Sequence, residues 1–341
     1  MATKKRWLIV AAAAAVLVTM TGCTRGAAPA PAADDGELAE RTIIFAHIAP
    51  ENHPYHAAAE KFKELVEEQS EGAITVELYP GAQLGGERDI NESILEGSVH
   101  VGIGAGALSS LSPIVNLFEL PFLINGQEHL ADIIGSDALD PVEDKLGETG
   151  FQVLDWLSTG DSAIQTVDRA VTTPEDLQGL KLRVIENPAL IDAMQALGAS
   201  PTPLPLTEVF TSIQTGVVDG TTMDWTSIVS LSLHELFTHS TSPDIPFLAE
   251  PRPVIVSADF WEGLNDSERD VISSAMEEAA AAERAEFVAA QEKAVTATRD
   301  SGVTFADIDE AAFMAALEPV WQKWADELDA QDVLNRINEL R

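Results

Sequence analysis

The sequence predicts an α/β protein, and three observations carry the prediction. Short β-rich segments alternate with segments of helical spacing from Arg41 to Ile103, and a second series of the same kind begins at Phe151. A Gly- and Pro-free stretch then runs from Asn265 to Asp300. At 1.5 Å per residue it would reach about 50 Å, enough to brace two lobes. A coiled coil is the other use of such a helix, but no a/d heptad persists through its many alanines.

Taken in order, Arg41–Ala46 is a β-rich run that leads into a loop with His47, Asn52 and His53. His56–Gln69 places Ala58, Phe62, Leu65 and Val66 at helical spacing, and Gly72 ends it. Ile74–Tyr79 alternates as a strand and stops at Pro80-Gly81. A helix over Glu87–Leu95 and a buried strand over Val99–Ile103 complete a βαβαβ start. The second series has strands near Phe151–Leu157, Ala163–Val167, Lys181–Val184 and Ser200–Leu204, with helices near Pro188–Leu197 and Thr207–Thr215. In the long helix, Asn265 and Glu268 have the spacing of a capping box, and Gly302 closes the far end. The chain shows no internal repeat.

Ahead of this body, Lys4-Lys5-Arg6 precedes an apolar run from Trp7 to Met20. That run is too short for about 30 Å of hydrocarbon and has the size of a signal-peptide core. It ends at Met20-Thr21-Gly22-Cys23, which resembles the lipobox of bacterial lipoproteins and makes Cys23 the lipidated first residue of the mature chain. Residues 1–22 are therefore expected to be a signal peptide. Residues 23–40, rich in Ala, Pro and Gly, are expected to be a flexible tether from a membrane anchor. Cys23 is the only cysteine, which excludes internal disulfides and cysteine-ligated zinc. These features place the protein outside the cytoplasm, in the periplasm or at the cell surface.

Twenty Lys+Arg against 56 Asp+Glu give a formal net charge of −36. Such a surface repels phosphate backbones and anionic lipid, so nucleic acid is excluded as a partner, and solubility is its plain use.

Several stretches, in order, resemble the solute-binding proteins of tripartite ATP-independent periplasmic (TRAP) transporters. Gly72–Pro80 with Gln83-Leu84-Gly85 is similar to their "G-x-I-x-V-x-x-x-P…QLG" stretch, and Glu119–Phe122 to their "LPF" turn. Thr173–Val184 (TPEDLQGLKLRV) is similar to their "TPEDLKGLKIRV" signature. Leu197–Pro201, Glu208–Phe210 and Gln214–Gly220 resemble "LGA-x-P…EVY…QTGVVDG". The likeness spans roughly residues 42–340. It implies a two-lobed periplasmic-binding-protein-like clamshell that closes on a small organic acid and passes it to integral-membrane permease subunits, with no cofactor and no catalysis. Lobe I would comprise 42–160 with about 249–288, and lobe II 161–248 with about 289–341.

The resemblance also implies a site. The family's arginine of "KIRV" holds the substrate carboxylate and falls on Arg183; a guanidinium fork matches a carboxylate bidentately where lysine cannot. Met223-Asp224-Trp225 is similar to a subgroup whose tryptophan lines the pocket, and Trp225 would offer a flat apolar wall. Relative to sialic-acid-binding members, a second arginine is replaced by Ala163, an asparagine by Met223 and an aromatic by Leu206, which argues against a highly polar sugar acid. Met223 and Leu206 serve either core or pocket. His47 lies where the family's first ligand loop begins. The His47, His53, His56 spacing lacks the tight pairing of a zinc site, so no metal is expected.

Enzyme readings are weaker. Gly102-x-Gly104-x-x-Ala107 is the skeleton of a dinucleotide loop, but Ser109, Ser110, Ser112 and Pro113 follow where a long helix should start. Small residues there suit close approach by a ligand or the opposite lobe. No nucleophile elbow, H-E-x-x-H or Walker loop occurs. A binding protein of an ATP-driven importer and a secreted enzyme on a similar fold are the alternatives, and a zwitterionic solute stays open.

Overall fold

A computed structural model describes residues Leu38–Arg341. The strands are β1 (Arg41–Ala46), β2 (Ile74–Tyr79), β3 (Val101–Ile103), β4 (Phe151–Ser158), β5 (Ser162–Thr166), β6 (Lys181–Val184), β7 (Ser200–Pro203), β8 (Gly220–Asp224), β9 (His239–Thr241), β10 (Pro251–Ser257) and β11 (Thr304–Ala306). They form two sheets, ordered β2-β1-β3-β10-β4 and β11-β9-β5-β8-β6-β7. In the first, β1 is parallel to β2 and β3, as expected of βαβ units, and β10 inserts antiparallel between β3 and β4. In the second, β6 runs parallel to β7 and β8, and β5 is antiparallel to β8. Pro201 and Pro203 are tolerated because β7 is an edge strand that pairs with β6 alone.

The helices are α1 (Pro54–Gln69), α2 (Glu87–Leu95), α3 (Gly126–Ile134), α4 (Asp140–Glu148), α5 (Pro188–Ala196), α6 (Val209–Gln214), α7 (Trp225–Ser230), α8 (Ala258–Glu262), α9 (Asp266–Asp300), α10 (Glu310–Glu327) and α11 (Gln331–Glu339). Helix α1 starts two residues before its periodicity predicts. His53 caps it by accepting the Tyr55 N–H on Nδ1, and Pro54 takes the first turn.

Helix α9 is the brace the sequence predicts. Asn265 Oδ1 accepts the Glu268 N–H at 2.9 Å and Glu268 Oε2 accepts the Asn265 N–H at 3.0 Å, closing the capping box. Its first half buries Ile272, Ala275, Met276 and Ala279 against Ile43, Phe62 and Val66 at the first sheet. Its second half packs Ala294 beside Ala163 and Trp225 at the second. The many alanines follow from this, because a helix pressed against two bodies in turn needs small side chains along its length.

Between the sheets the chain crosses at Ser158–Ser162 and again between β9 and β10. The crossings are tied together: the Thr159 N–H donates to the Glu250 carbonyl, and the Glu250 N–H donates to Thr159 Oγ1, both at 3.1 Å. Gly160 sits under α9, where a Cβ would come within 2.6 Å of the Phe287 ring and 2.8 Å of the Gln291 amide. Among the described residues no helix is long and apolar enough to cross a membrane. Cys23, the signal segment and most of the tether lie outside the described residues.

Candidate functional site

Between the two sheets lies a cavity of about 360 Å3, the size class of small-molecule sites. Its first-sheet wall comes from the loop after β1, the N-terminus of α2, the turn after β3, and β10. Its second-sheet wall comes from β6 and the segments that follow β7 and β8.

Arg183 lies on β6, at the carboxyl end of a parallel strand, where ligands bind in open α/β sheets. It lines the cavity but is only 3% exposed. Its Nε donates to the Leu204 carbonyl at 3.0 Å. Among the described residues no carboxylate comes within ion-pair distance, and no hydrogen bond engages its terminal nitrogens. Burial lowers its pKa to about 10, although the fields of Glu119 and Glu87 partly offset this. A guanidinium dried out and left unpaired is a prepared anion site.

Arg252, on β10, is arranged the other way. Its Nη1 bonds Glu119 Oε1 at 2.9 Å and its Nη2 contacts Glu250. Burial works against its charge, yet Glu119, Tyr55 and Glu87 outweigh that and hold its pKa above the ordinary range. Burial raises the Glu119 pKa, with Arg252 and Arg183 pulling it back. Glu87, from the first turn of α2, accepts the N–H groups of Ala105 at 2.7 Å and Leu108 at 3.2 Å. It thereby ties the cavity-lining turn after β3 to α2.

Asp224 caps α7, accepting the Ser227 N–H at 2.9 Å. At the cavity wall, His53 Nε2 lies 3.3 Å from Ser227 Oγ and 3.4 Å from Thr226 Oγ1, joining the loop after β1 to α7. Because Nδ1 accepts from Tyr55, Nε2 carries the proton and donates. The close approach that small residues were expected to permit occurs at Gly106, where a Cβ would meet Ile185 Cδ1, just after β6, at 2.2 Å.

Of the residues singled out in the sequence, Arg183, Leu206, Met223 and Asp224 meet at this cavity. Trp225 and His47, expected there, are not among the residues that line it. The strand ends at Asp224 and a helix begins at Trp225, so strand alternation breaks there. The indole turns inward, fully buried, with its ring centroid 5.4 Å from that of Phe305. His47 sits just past β1 and is 2% exposed, with Nε2 3.2 Å from His56 Nδ1. Burial, His56 and His53 push its pKa down to about 3, which leaves the ring neutral. His53, six residues on, occupies the place proposed for it. Among the described residues no cluster of His, Cys, Asp or Glu has the makings of a metal site.

Arg252, Glu119, Glu250 and Glu87 escaped the sequence reading. A lone arginine between two prolines in an otherwise apolar strand, Pro251-Arg252-Pro253-Val254-Ile255-Val256, was the available signal. A cation in a buried strand needs a buried acid.

Comparison with known proteins agrees with this architecture. The family DctP, described as bacterial extracellular solute-binding protein, family 7, matches residues 45–327. The C4-dicarboxylate-binding periplasmic protein DctP of Rhodobacter capsulatus is 30% identical over 305 residues, covering 87% of this chain and 90% of its own. A solved TRAP periplasmic solute-binding protein from Bordetella bronchispeptica, with density assigned to pantoate, is 29% identical with a TM-score of 0.82, covering 88% of this chain and 99% of its own. One from Anaerococcus prevotii, with bound D-glucuronate, is 26% identical with a TM-score of 0.83, covering 88% and 98%. The two sheets are thus the lobes of an α/β clamshell, and the chain belongs to the DctP family of bacterial extracellular solute-binding proteins.

Proposed function

We propose that this protein is the extracytoplasmic receptor of a TRAP transporter and captures a small organic acid by its carboxylate on Arg183. The observation that carries the reading is the buried Arg183 guanidinium, which faces a cavity with no internal acid in ion-pair range. The ligand's carboxylate supplies the missing charge, and its bidentate pairing orients the molecule. Lobe I comprises 42–160 with about 249–288, and lobe II 161–248 with about 289–341. The crossings at Ser158–Ser162 and before β10 act as the hinge, and α9 limits its travel. Closure is a two-state equilibrium that the acid shifts by binding the closed form more tightly.

The loaded receptor docks on integral-membrane permease subunits that take the solute. Residues 1–22 direct export and are removed, and a lipid on Cys23 tethers the body through residues 23–40. Capture and delivery need positioning rather than chemistry, so the protein is not an enzyme. Ligand-dependent melting across a panel of carboxylic acids, repeated with Arg183→Ala, tests the reading. A binder raises the melting temperature by mass action, and that rise must vanish in the variant.

A further inference from the structure

A second polar group on the cavity wall is left incomplete. Glu119 lines the cavity, is 1% exposed, and commits Oε1 to Arg252, yet its Oε2 meets no hydrogen-bond partner among the described residues. Arg252 cannot complete it, because its fork is already divided between Glu119 and Glu250. Contact with the Arg252 guanidinium at 2.9 Å favours the carboxylate form of Glu119, and a carboxylate can only accept.

Charge points the same way. Setting aside the solvent-exposed Arg88, Asp89 and Glu186, the cavity's charged side chains are Arg183 and Arg252 against Glu87, Glu119, Asp224 and Glu250. A ligand carboxylate on Arg183 adds one more negative charge to a lining already rich in them. A second carboxylate would meet no unoccupied cation among these side chains, and one brought beside Glu119 would meet a like charge. A hydroxyl or ammonium on the ligand would complete Glu119 instead.

We propose that Glu119, oriented by Arg252, is the specificity-determining group of this cavity. It accepts a hydrogen bond from a ligand donor other than the Arg183-bound carboxylate, and it disfavours acids that bring a second carboxylate to that place. The assignment rests on the carboxylate reading of Arg183 and sharpens it to a substrate class, monocarboxylates that also carry a hydroxyl or ammonium. Like charges in a dry cleft are a repulsive device, and specificity of this kind comes as much from rejection as from attraction.

The test uses acids matched in skeleton and differing at one end. Succinate is set against 4-hydroxybutyrate and 4-aminobutyrate, and D-glucarate against D-gluconate, each titrated calorimetrically into the full mature chain. The wild type is expected to bind the donor-bearing member of at least one set roughly tenfold or more tightly than its dicarboxylate. Glu119→Gln, which keeps the volume but removes the charge, is expected to narrow that ratio to within about threefold, a change that a merely structural role would not produce. The two monocarboxylates in the four-carbon set separate a hydroxyl from an ammonium. If Glu119→Gln fails to fold, the wild-type ratios still decide. Dicarboxylates that bind as well as or better than their partners, with binding still abolished in Arg183→Ala, overturn this assignment and leave the carboxylate clamp standing. Binding that survives Arg183→Ala, or no binding by any of the five acids at millimolar concentration, overturns the clamp itself.

Discussion

Replacing Arg183 by methionine keeps most of the side-chain volume and removes the charge, and the structure predicts opposite effects on the empty and the loaded protein. In the empty protein the guanidinium is buried without an acid partner, and its pKa falls to about 10. At 1.36 kcal/mol per pH unit, that fall corresponds to on the order of 3 kcal/mol against the charged form. Methionine recovers that energy but loses the Nε bond to the Leu204 carbonyl, worth about 1 kcal/mol and up to about 3 if the carbonyl stays dry. The ligand-free variant is therefore expected to match the wild type or exceed it by up to about 2 kcal/mol, a melting shift of a few degrees at most.

In the loaded protein the ligand carboxylate is left buried and unpaired. Breaking such a pair costs about 3–5 kcal/mol, a loss of roughly 10²–10³-fold or more in affinity. Arg183→Lys keeps the charge without the fork and should fall between. Scanning calorimetry of the ligand-free forms, with titration of the tightest acid of the panel, measures both halves. If methionine lowers the ligand-free melting temperature by about 10 °C and leaves affinity unchanged, Arg183 belongs to an internal network and the reasoning fails.

Trp225→Ala should reduce stability by about 3–5 kcal/mol, because the indole fills a core position against Phe305. Affinity in the fraction that stays folded should hardly change, and a selective loss of binding in a fully stable variant would return Trp225 to the pocket. Glu283, on α9 beside the Ser158 crossing, accepts the Ser158 N–H at 3.2 Å while burial pushes its pKa up to about 8. The folded chain keeps a proton there that the unfolded chain gives up above the ordinary carboxyl range. Its stabilising contribution is complete at low pH and is lost as pH rises through about 8. Glu283→Gln should gain on the order of 2–4 kcal/mol over the wild type in urea unfolding at pH 9, with little difference near pH 4; equal effects at both pH values would refute this. The difference between variant and wild type separates Glu283 from His47, whose pKa of about 3 draws stability down on the acid side as pH falls below the ordinary histidine range. Cys23→Ser should move the protein from the membrane to the soluble fraction or leave the precursor uncleaved, since the lipid alone would hold it. Unchanged fractionation on a blot would place the anchor elsewhere.

What could be read from the sequence alone was whatever neighbours in the chain decide. The alternation of Ile74–Tyr79 gave β2, and the spacing of Phe62, Leu65 and Val66 gave α1. The Asn265–Glu268 pair gave the start of α9 to the residue, because a capping box is closed within four positions. The place of Arg183 at a strand end was legible for the same reason. Strands β8 and β10 were not, although both are interior to their sheets. Each is inserted beside partners far away in sequence, so its place inside the sheet is decided only by the tertiary structure. The setting of Trp225 was not legible either, because the chain passes from strand to helix at that residue and the fold decides which way its side chain turns. The Arg252–Glu119 pair joins positions 133 apart. Only the tertiary structure could bring that cation and that acid into one dry wall, and a buried charge is stabilised by whichever partner the fold delivers, which no local pattern encodes.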